Sequence, residues 1–512
     1  MHKTSYRFFM LPEEYWWTGC IDDAPLMPLD GQSVYSRSLD PNASYNQAAP
    51  LLLSSRGRYI WCDSGFDISV EGGCITLATA KGEPVLHEGY DTLRGAYLAA
   101  MKRHFPFSSV CPPADFFITP QFNTWIELTY FQNQQAVLRY ARDIRAQGYP
   151  AGVLMIDCGW QEYYGRWEFH PGRFPDPKGM VDELHRLGFR VMLWTCPYIS
   201  PDSLEFRSLW DKGLLVRNPD GSPSIKEWWD GYSAVLDFTH PEAVDWFDKQ
   251  NGSLMERYGV DGFKLDAGDA FYYSDDDLTH SSTDANGQSE LWAEFGVRYA
   301  YNEYRASWKC GGLPLVQRLR DKVHAWGYNG VSSLVPCELA QGLIGLPYNC
   351  PDMIGGGEYL DFARNAGHLD QELFVRYAQN AALMPMMQFS AAPWRVLDEK
   401  HNALCREAAL LHERFGETIV SLAREAARTG EPIVRYLAYQ FPGEGLEKIN
   451  DEFLLGDSIL VAPVTQKRVY AREVRFPLGR WRAPDGAVYP GGQSRLIDCP
   501  LDTLLYFIRL ED

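Results

Sequence analysis

The chain has 512 residues, 46% of them hydrophobic and 22% charged, which suits a catalytic domain with accessory domains and excludes a largely disordered protein. Its net charge of −19 argues against a nucleic-acid partner, because phosphate contacts need clustered Lys and Arg. No run of eighteen or more apolar residues occurs, so the sequence offers no helical membrane span.

Residues 1–112 read as short strands broken by turns, for example Gly57–Cys62 and Gly72–Leu77, and predict an N-terminal β-sandwich. The Cys111-Pro112-Pro113 run marks a domain joint. Beyond it the pattern alternates: a helix containing Gln135–Ala146, a buried strand at Gly152–Asp157, a helix over Met180–Leu187, a strand at Arg190–Trp194, a helix over Pro241–Tyr258 and a strand at Gly262–Asp266. Apolar strands alternating with amphipathic helices mean parallel β/α units, and over roughly three hundred residues they predict a (β/α)8 TIM barrel, an α/β fold, at 113–428. After the helical stretch Asn402–Thr429 the period returns to two, in Phe453–Ala462 and Leu504–Arg509. Residues 429–512 are therefore expected to form a C-terminal β-domain.

The predicted barrel strands end in polar and aromatic clusters: Asp157-Cys158-Gly159-Trp160, Trp194-Thr195-Cys196-Pro197-Tyr198 and Asp266-Ala267-Gly268-Asp269. A single Asp after a strand is usually a helix cap. Several in succession, beside aromatics, read as an active-site rim, since barrel enzymes place chemistry at the carboxyl ends of their strands. The 16 Trp and 29 Tyr would supply stacking faces for sugar rings, though large cores use them too. The eleven cysteines are scattered and never spaced Cys-x-x-Cys, and Met1–Tyr15 lacks the pattern of a secretory leader. Reduced thiols in a cytoplasmic enzyme are the expectation.

Two longer segments carry a family resemblance. Trp228–Ala243 and Asp451–Val464 resemble, in the right order, the stretch ahead of the nucleophile strand and the C-terminal β-domain of glycoside hydrolase family 31. The resemblance implies a retaining α-glycosidase, with no cofactor or metal, acting on an oligosaccharide or other α-glycoside, and no nucleic acid or membrane as partner. Self-association is left open. Lys264-Leu265-Asp266-Ala267-Gly268-Asp269 matches the family's nucleophile segment, which gives Asp266 that role. Members typically carry Glu three residues on, where this chain has Asp269. Independently of the resemblance, a strand-end Asp beside Lys264 can stay ionised, as a nucleophile must. Its partner acid would sit roughly 5–5.5 Å away.

The family's general acid follows a Trp-Gly-x-Asp pattern, and here Trp326-Gly327-Tyr328-Asn329 puts an amide in that place. An amide cannot deliver the proton a carboxylic acid does. Three readings compete: an acid-to-amide replacement made to trap substrate, a natural sugar-binding protein that does not cleave, or an acid supplied from elsewhere, with Asp321 and Asp352 nearest. The first is adopted, because Asn is isosteric with Asp and the rest of the site is intact. The resemblance also implies sugar-contacting roles for Asp157, Lys264, Arg318 and Asp352, with Trp160, Trp194 and Trp394 as candidate stacking walls. The last-strand His of many members is missing from Pro385–Trp394. That absence, with Lys-x-Asp-Ala-Gly, Pro-Asp-Met-Ile-Gly-Gly and Met-Gln-Phe-Ser, resembles a branch associated with α-galactoside cleavage. Glu14-Tyr15-Trp16-Trp17-Thr18-Gly19 resembles that branch's tryptophan-rich loop, expected near the substrate pocket.

Overall fold

The computed structural model of the chain describes residues 2–40 and 46–511. At its centre eight parallel strands form a barrel: β1 (Gln121–Asn123), β2 (Val153–Ile156), β3 (Arg190–Thr195), β4 (Gly262–Leu265), β5 (Tyr301–Tyr304), β6 (Gln317–Arg318), β7 (Asn349–Cys350) and β8 (Gln388–Phe389). Each pairs in parallel with its neighbours, as in Ile156↔Leu193, Thr195↔Leu265 and Leu265↔Tyr304. Phe389↔Phe122 joins β8 to β1, and one parallel bridge from Met353, just past β7, to Gln388 closes the ring.

The helices between strands form for the reasons the sequence suggests. Over Gln134–Ala146 the buried residues are Val137, Tyr140, Ala141 and Ile144, one stripe at helical spacing, and the Asn133 side chain caps the first turn by accepting from Ala136 N. The helix Pro241–Tyr258 starts on a proline and stops at Gly259, whose φ of +79° suits a residue without Cβ. β2 and β3 are almost wholly apolar and buried, and each fully buried Leu or Val there contributes about 1.5–3 kcal/mol.

β5 to β8 are different. They are two to four residues long and carry Asn302, Glu303, Gln317, Arg318, Asn349 and Gln388, all buried. Several of these side chains are paired inside the barrel: Gln388 donates to Glu303 at 2.7 Å and to Gln121 at 3.1 Å, as buried polar groups generally are, whereas the Gln317 side-chain amide has no hydrogen-bond partner among the described residues.

Two flanking regions complete the chain. The N-terminal one has a four-stranded sheet built on Thr4–Phe9 and Cys74–Thr79, and a second sheet built on Gln47–Ser54. The second sheet takes in a strand from the barrel loop after β5: Ser307 and Trp308 pair in parallel with Gln47 and Ala48. That pairing fixes where Arg305 stands. The C-terminal region holds a six-stranded sheet and a two-stranded one around its own cluster, which includes Leu460, Trp481 and Phe507. The helix Glu399–Thr429 leads into it and ends at Gly430, where a Cβ would fall 1.9 Å from the Phe107 ring. Among the described residues no helix is long and apolar enough to cross a membrane.

Candidate active site

A pocket of about 330 Å³ opens at the carboxyl ends of the strands. Its floor comes from β2, β3 and β4: Asp157 and Cys158 follow β2, Trp194 lies in β3, and Lys264 and Asp266 lie at the end of β4. Arg305 follows β5 and Asp321 follows β6. Trp125, Tyr130, Trp229, Glu358, Tyr359 and Leu360 build the walls and mouth.

Asp266 is the most constrained group on the floor. One carboxylate oxygen accepts from Arg305 Nε at 3.0 Å and from the Ala267 amide at 2.9 Å; the other accepts from the Trp194 indole at 2.9 Å. Burial opposes its ionisation, but Arg305, Lys264, Arg318 and the indole outweigh burial and hold the carboxyl well below the usual range. The group is a fixed anion. The backbone beyond it is bent to present it: Ala267 has φ +59° and Gly268 φ +74°. A Cβ on Gly268 would meet the Trp292 ring at 2.2 Å. A non-glycine residue held in the left-handed region costs about 1–2 kcal/mol, which the surrounding structure must sustain.

Two buried ion pairs hold the rest of the floor. Lys264 Nζ lies 2.6 Å from Asp157 Oδ2, each side chain 3% exposed. Burial disfavours the ammonium, yet Asp157, with help from Asp266 and Glu303, raises its pKa against both burial and Arg318. Arg305 reaches Asp269 at 2.6 Å through a second nitrogen and Asn46 at 3.0 Å through the third. One guanidinium therefore bridges Asp266 and Asp269. Its outer face lies over the Trp229 ring, 5.2 Å from the centroid. Trp229 sits at the turn of the hairpin Ile225–Val235, which the Tyr164 hydroxyl ties down by a hydrogen bond to Asp230.

Asp321, on the loop after β6, is a further carboxyl in the pocket lining. Its side chain is 36% exposed, and Arg318 Nη1 holds it at 2.8 Å. The same nitrogen reaches Asp352 at 2.6 Å, and the Asp352 carboxylate also accepts from the amides of Lys322 and Gly357. Burial pushes Asp352 up to about 6 against the pull of Arg318, with Asp321 adding to the push. Arg318 thus stands behind the pocket wall and orients Asp321.

Of the candidate site residues singled out in the sequence, Asp157, Trp194, Lys264, Asp266 and the alternative acid Asp321 share the pocket. The others do not line it. Asn329 is on an exposed turn, where it accepts a hydrogen bond from Arg320 at 3.0 Å. The pocket lining thus includes Asp321 and not Asn329. The motif match failed because Trp326-Gly327 lies on this turn, past the loop that carries Asp321. Arg318 and Asp352 are fully buried partners of each other rather than sugar contacts. Trp160 is a core residue whose indole donates to the Trp194 carbonyl at 2.8 Å. Trp394 packs on Tyr140 and Tyr149 in the outer layer. Trp16 and Trp17 are also buried, beside Arg58 and Tyr436. Sequence reasoning did not single out Arg305, Trp229 and Glu358 as site residues. Arg305 follows a strand whose polar sequence concealed it, whereas Trp229 lay inside a recognised motif. Among the described residues no group of three or more His, Cys, Asp or Glu is placed to hold a metal ion.

The comparisons with known proteins agree with this architecture. Residues 120–317 match the glycosyl hydrolases family 31 TIM-barrel domain and residues 430–511 the glycosyl hydrolase family 31 C-terminal domain. The chain is similar to the myogenesis-regulating glycosidase of Mus musculus, 36% identical over 80% of this chain and 58% of that protein. It is 25% identical to the alpha-xylosidase XylQ of Lactiplantibacillus pentosus over 90% of this chain and 62% of that one. A solved family 31 dextranase from Flavobacterium johnsoniae superposes with a TM-score of 0.85 at 21% identity, covering 99% of this chain and 66% of that chain. This chain thus spans about three-fifths of the length of these curated relatives.

Proposed function

The chain belongs to glycosyl hydrolase family 31, and from that premise we propose that it is a retaining, exo-acting α-glycosidase that removes a terminal α-linked sugar. The carrying observation is the pair of carboxyls on one pocket: Asp266, locked as an anion by Arg305 and Trp194, and Asp321, partly exposed in the same lining. In the proposed reaction Asp266 attacks the anomeric carbon while Asp321 gives its proton to the leaving oxygen, so the glycosidic bond breaks as the ester forms. Asp321, now a carboxylate, takes a proton from water. The hydroxide formed displaces Asp266, and two inversions leave the anomeric configuration retained. The floor supports exo action, because Asp157 and Lys264 close it and present one anion and one cation to sugar hydroxyls.

For the sugar we propose galactose. The support is the likeness of the Lys264–Gly268, Pro351–Gly356 and Met387–Ser390 segments to the galactoside-associated branch. The last-strand His is missing, and Gln388 on that strand is spent inside the barrel on Glu303. The test is hydrolysis of 4-nitrophenyl α-galactoside, α-glucoside and α-xyloside, with the first-formed anomer followed by NMR. The proposal expects turnover fastest on the galactoside, with the α-anomer formed first. Faster turnover of the glucoside or xyloside would overturn the sugar assignment, and a β-anomer formed first would overturn the mechanism.

A further inference from the structure

The pocket changes character along its depth. At the floor, Asp157 and Lys264 are each 2% exposed and Asp266 8%. At the mouth the lining turns apolar: Tyr130 is 42% exposed, Trp229 43% and Leu360 58%. On one side the rings of Trp125, Tyr130 and Tyr359 brace each other, with centroids 5.7, 5.7 and 6.4 Å apart. Leu360 follows on the same helix, Tyr359–Asn365. Trp229 faces them from the hairpin, its ring backed by Arg305. The charged groups at this level are already engaged. Glu358 accepts from the Asp361 amide at 2.6 Å as the cap of that helix, Asp321 is held by Arg318, and Arg305 by Asp266 and Asp269. A second sugar bound here would find flat rings, with the charged side chains already engaged.

Exposed apolar surface continuous with a binding pocket marks where a ligand's own apolar part is covered. Resting on the reading of Asp266 and Asp321 as the catalytic pair, we propose that the mouth is an aglycone site for apolar groups, and that the substrates are α-glycosides of an alkyl or aryl alcohol rather than oligosaccharides. The leaving oxygen emerges between the two carboxyls, so whatever it carries is delivered between Trp229 and Leu360. With the ring cluster fixed, little side-chain freedom is lost when the aglycone settles.

The test uses methyl, butyl and hexyl 1-thio-α-glycosides of galactose, glucose and xylose, which resist hydrolysis, with calorimetric Kd values on the whole chain. Maltose and melibiose serve as sugar-aglycone comparators. The inference expects Kd to fall about twofold per methylene, since full burial of one would give about fourfold. It expects that slope to flatten in Leu360→Asn and in Tyr130→Ser, with the urea unfolding midpoint of each variant as the check on folding. Binding without chain-length dependence, an unchanged slope in both variants, or tighter binding of a disaccharide than of the hexyl thioglycoside would each overturn the aglycone site and leave the glycosidase reading standing. If none of the three sugars binds in any form, the glycosidase reading falls, and this inference with it.

Discussion

The two halves of the barrel do different work. β2 to β4 read Val-Leu-Met-Ile, Arg-Val-Met-Leu-Trp-Thr and Gly-Phe-Lys-Leu; they are held by apolar burial and set the pocket floor in place. β5 to β8 read Tyr-Asn-Glu-Tyr, Gln-Arg, Asn-Cys and Gln-Phe; they are short, polar, and bound to one another by buried hydrogen bonds and ion pairs. The proposed nucleophile comes from the first half. The guanidinium that fixes it and the proposed acid come from the loops of the second. Mechanical rigidity and electrostatic tuning are thus assigned to opposite sides of one barrel, and changes on the two sides should have different consequences.

The largest effect is expected on the polar side. Asp321→Ala should lower kcat/KM by about 10²–10⁴ for an alkyl glycoside, the usual worth of a general acid, and far less for a 2,4-dinitrophenyl glycoside that leaves without one. Equal losses on both leaving groups would remove Asp321 from the acid role. The next two changes set the halves side by side. Arg318→Met leaves Asp352 buried without its cation, a situation that costs about 3–5 kcal/mol, and it should cost activity in the molecules that remain folded. Leu193→Ala, wholly buried in β3, should cost about 2–5 kcal/mol through the cavity it leaves with kcat per folded molecule nearly unchanged. Denaturant midpoints paired with active-site titration measure both. Were Leu193→Ala to lose kcat as heavily as Arg318→Met, the division of labour would not hold.

A smaller effect depends on pH. His412, buried on the helix Glu399–Thr429, donates or accepts only at Nδ1, 3.0 Å from the Ala382 carbonyl, and burial lowers it to about 4. A carbonyl only accepts, so Nδ1 carries the proton and Nε2 stays bare. The fold prefers the neutral ring, while the unfolded chain takes a proton below pH 6.5. The stability from His412 is therefore complete above 6.5 and lost as pH falls toward 4, by about 3 kcal/mol in all at about 1.4 kcal/mol per pH unit. His412→Asn should remove that part of the slope between pH 6.5 and 4 in urea midpoints; a slope unchanged by the substitution would show that other groups carry it. The smallest effect is at the exposed turn: Asn329→Asp should change kcat/KM by less than twofold and stability by no more than about 0.5 kcal/mol. A large gain would reinstate position 329 as the acid.

The same contrast explains what the sequence disclosed. Apolar runs of four to six residues bounded by amphipathic helices announce strands, so β2, β3 and β4 were legible, and the helix Pro241–Tyr258 agrees at both ends. Gln317–Arg318 and Gln388–Phe389 carry no such pattern. Their backbones pair with neighbouring strands, and Arg318 and Gln388 find side-chain partners elsewhere in the barrel, Glu303 and Gln121 among them; periodicity does not report such pairings. Asp266, Asp157, Lys264 and Trp194 were found because they end legible strands. Arg305 was missed because β5 was, and Asn329 was taken for the acid because a four-residue motif was placed without the fold that decides which loop faces the pocket. Trp160 and Trp394 show the limit of composition: a tryptophan near a strand end is as readily core as wall.

The most direct test of the whole account is to identify the residue that carries the sugar. The chain would be treated with 5-fluoro-α-glycosyl fluorides of galactose, glucose and xylose, which form the glycosyl-enzyme faster than water clears it, then digested and sequenced by mass spectrometry. The account predicts one glycosyl group per chain, on Asp266 and absent from Asp266→Asn, with Asp321 unlabelled. Label on Asp321 or Glu358, or none on a protein that turns over its substrate, would contradict it.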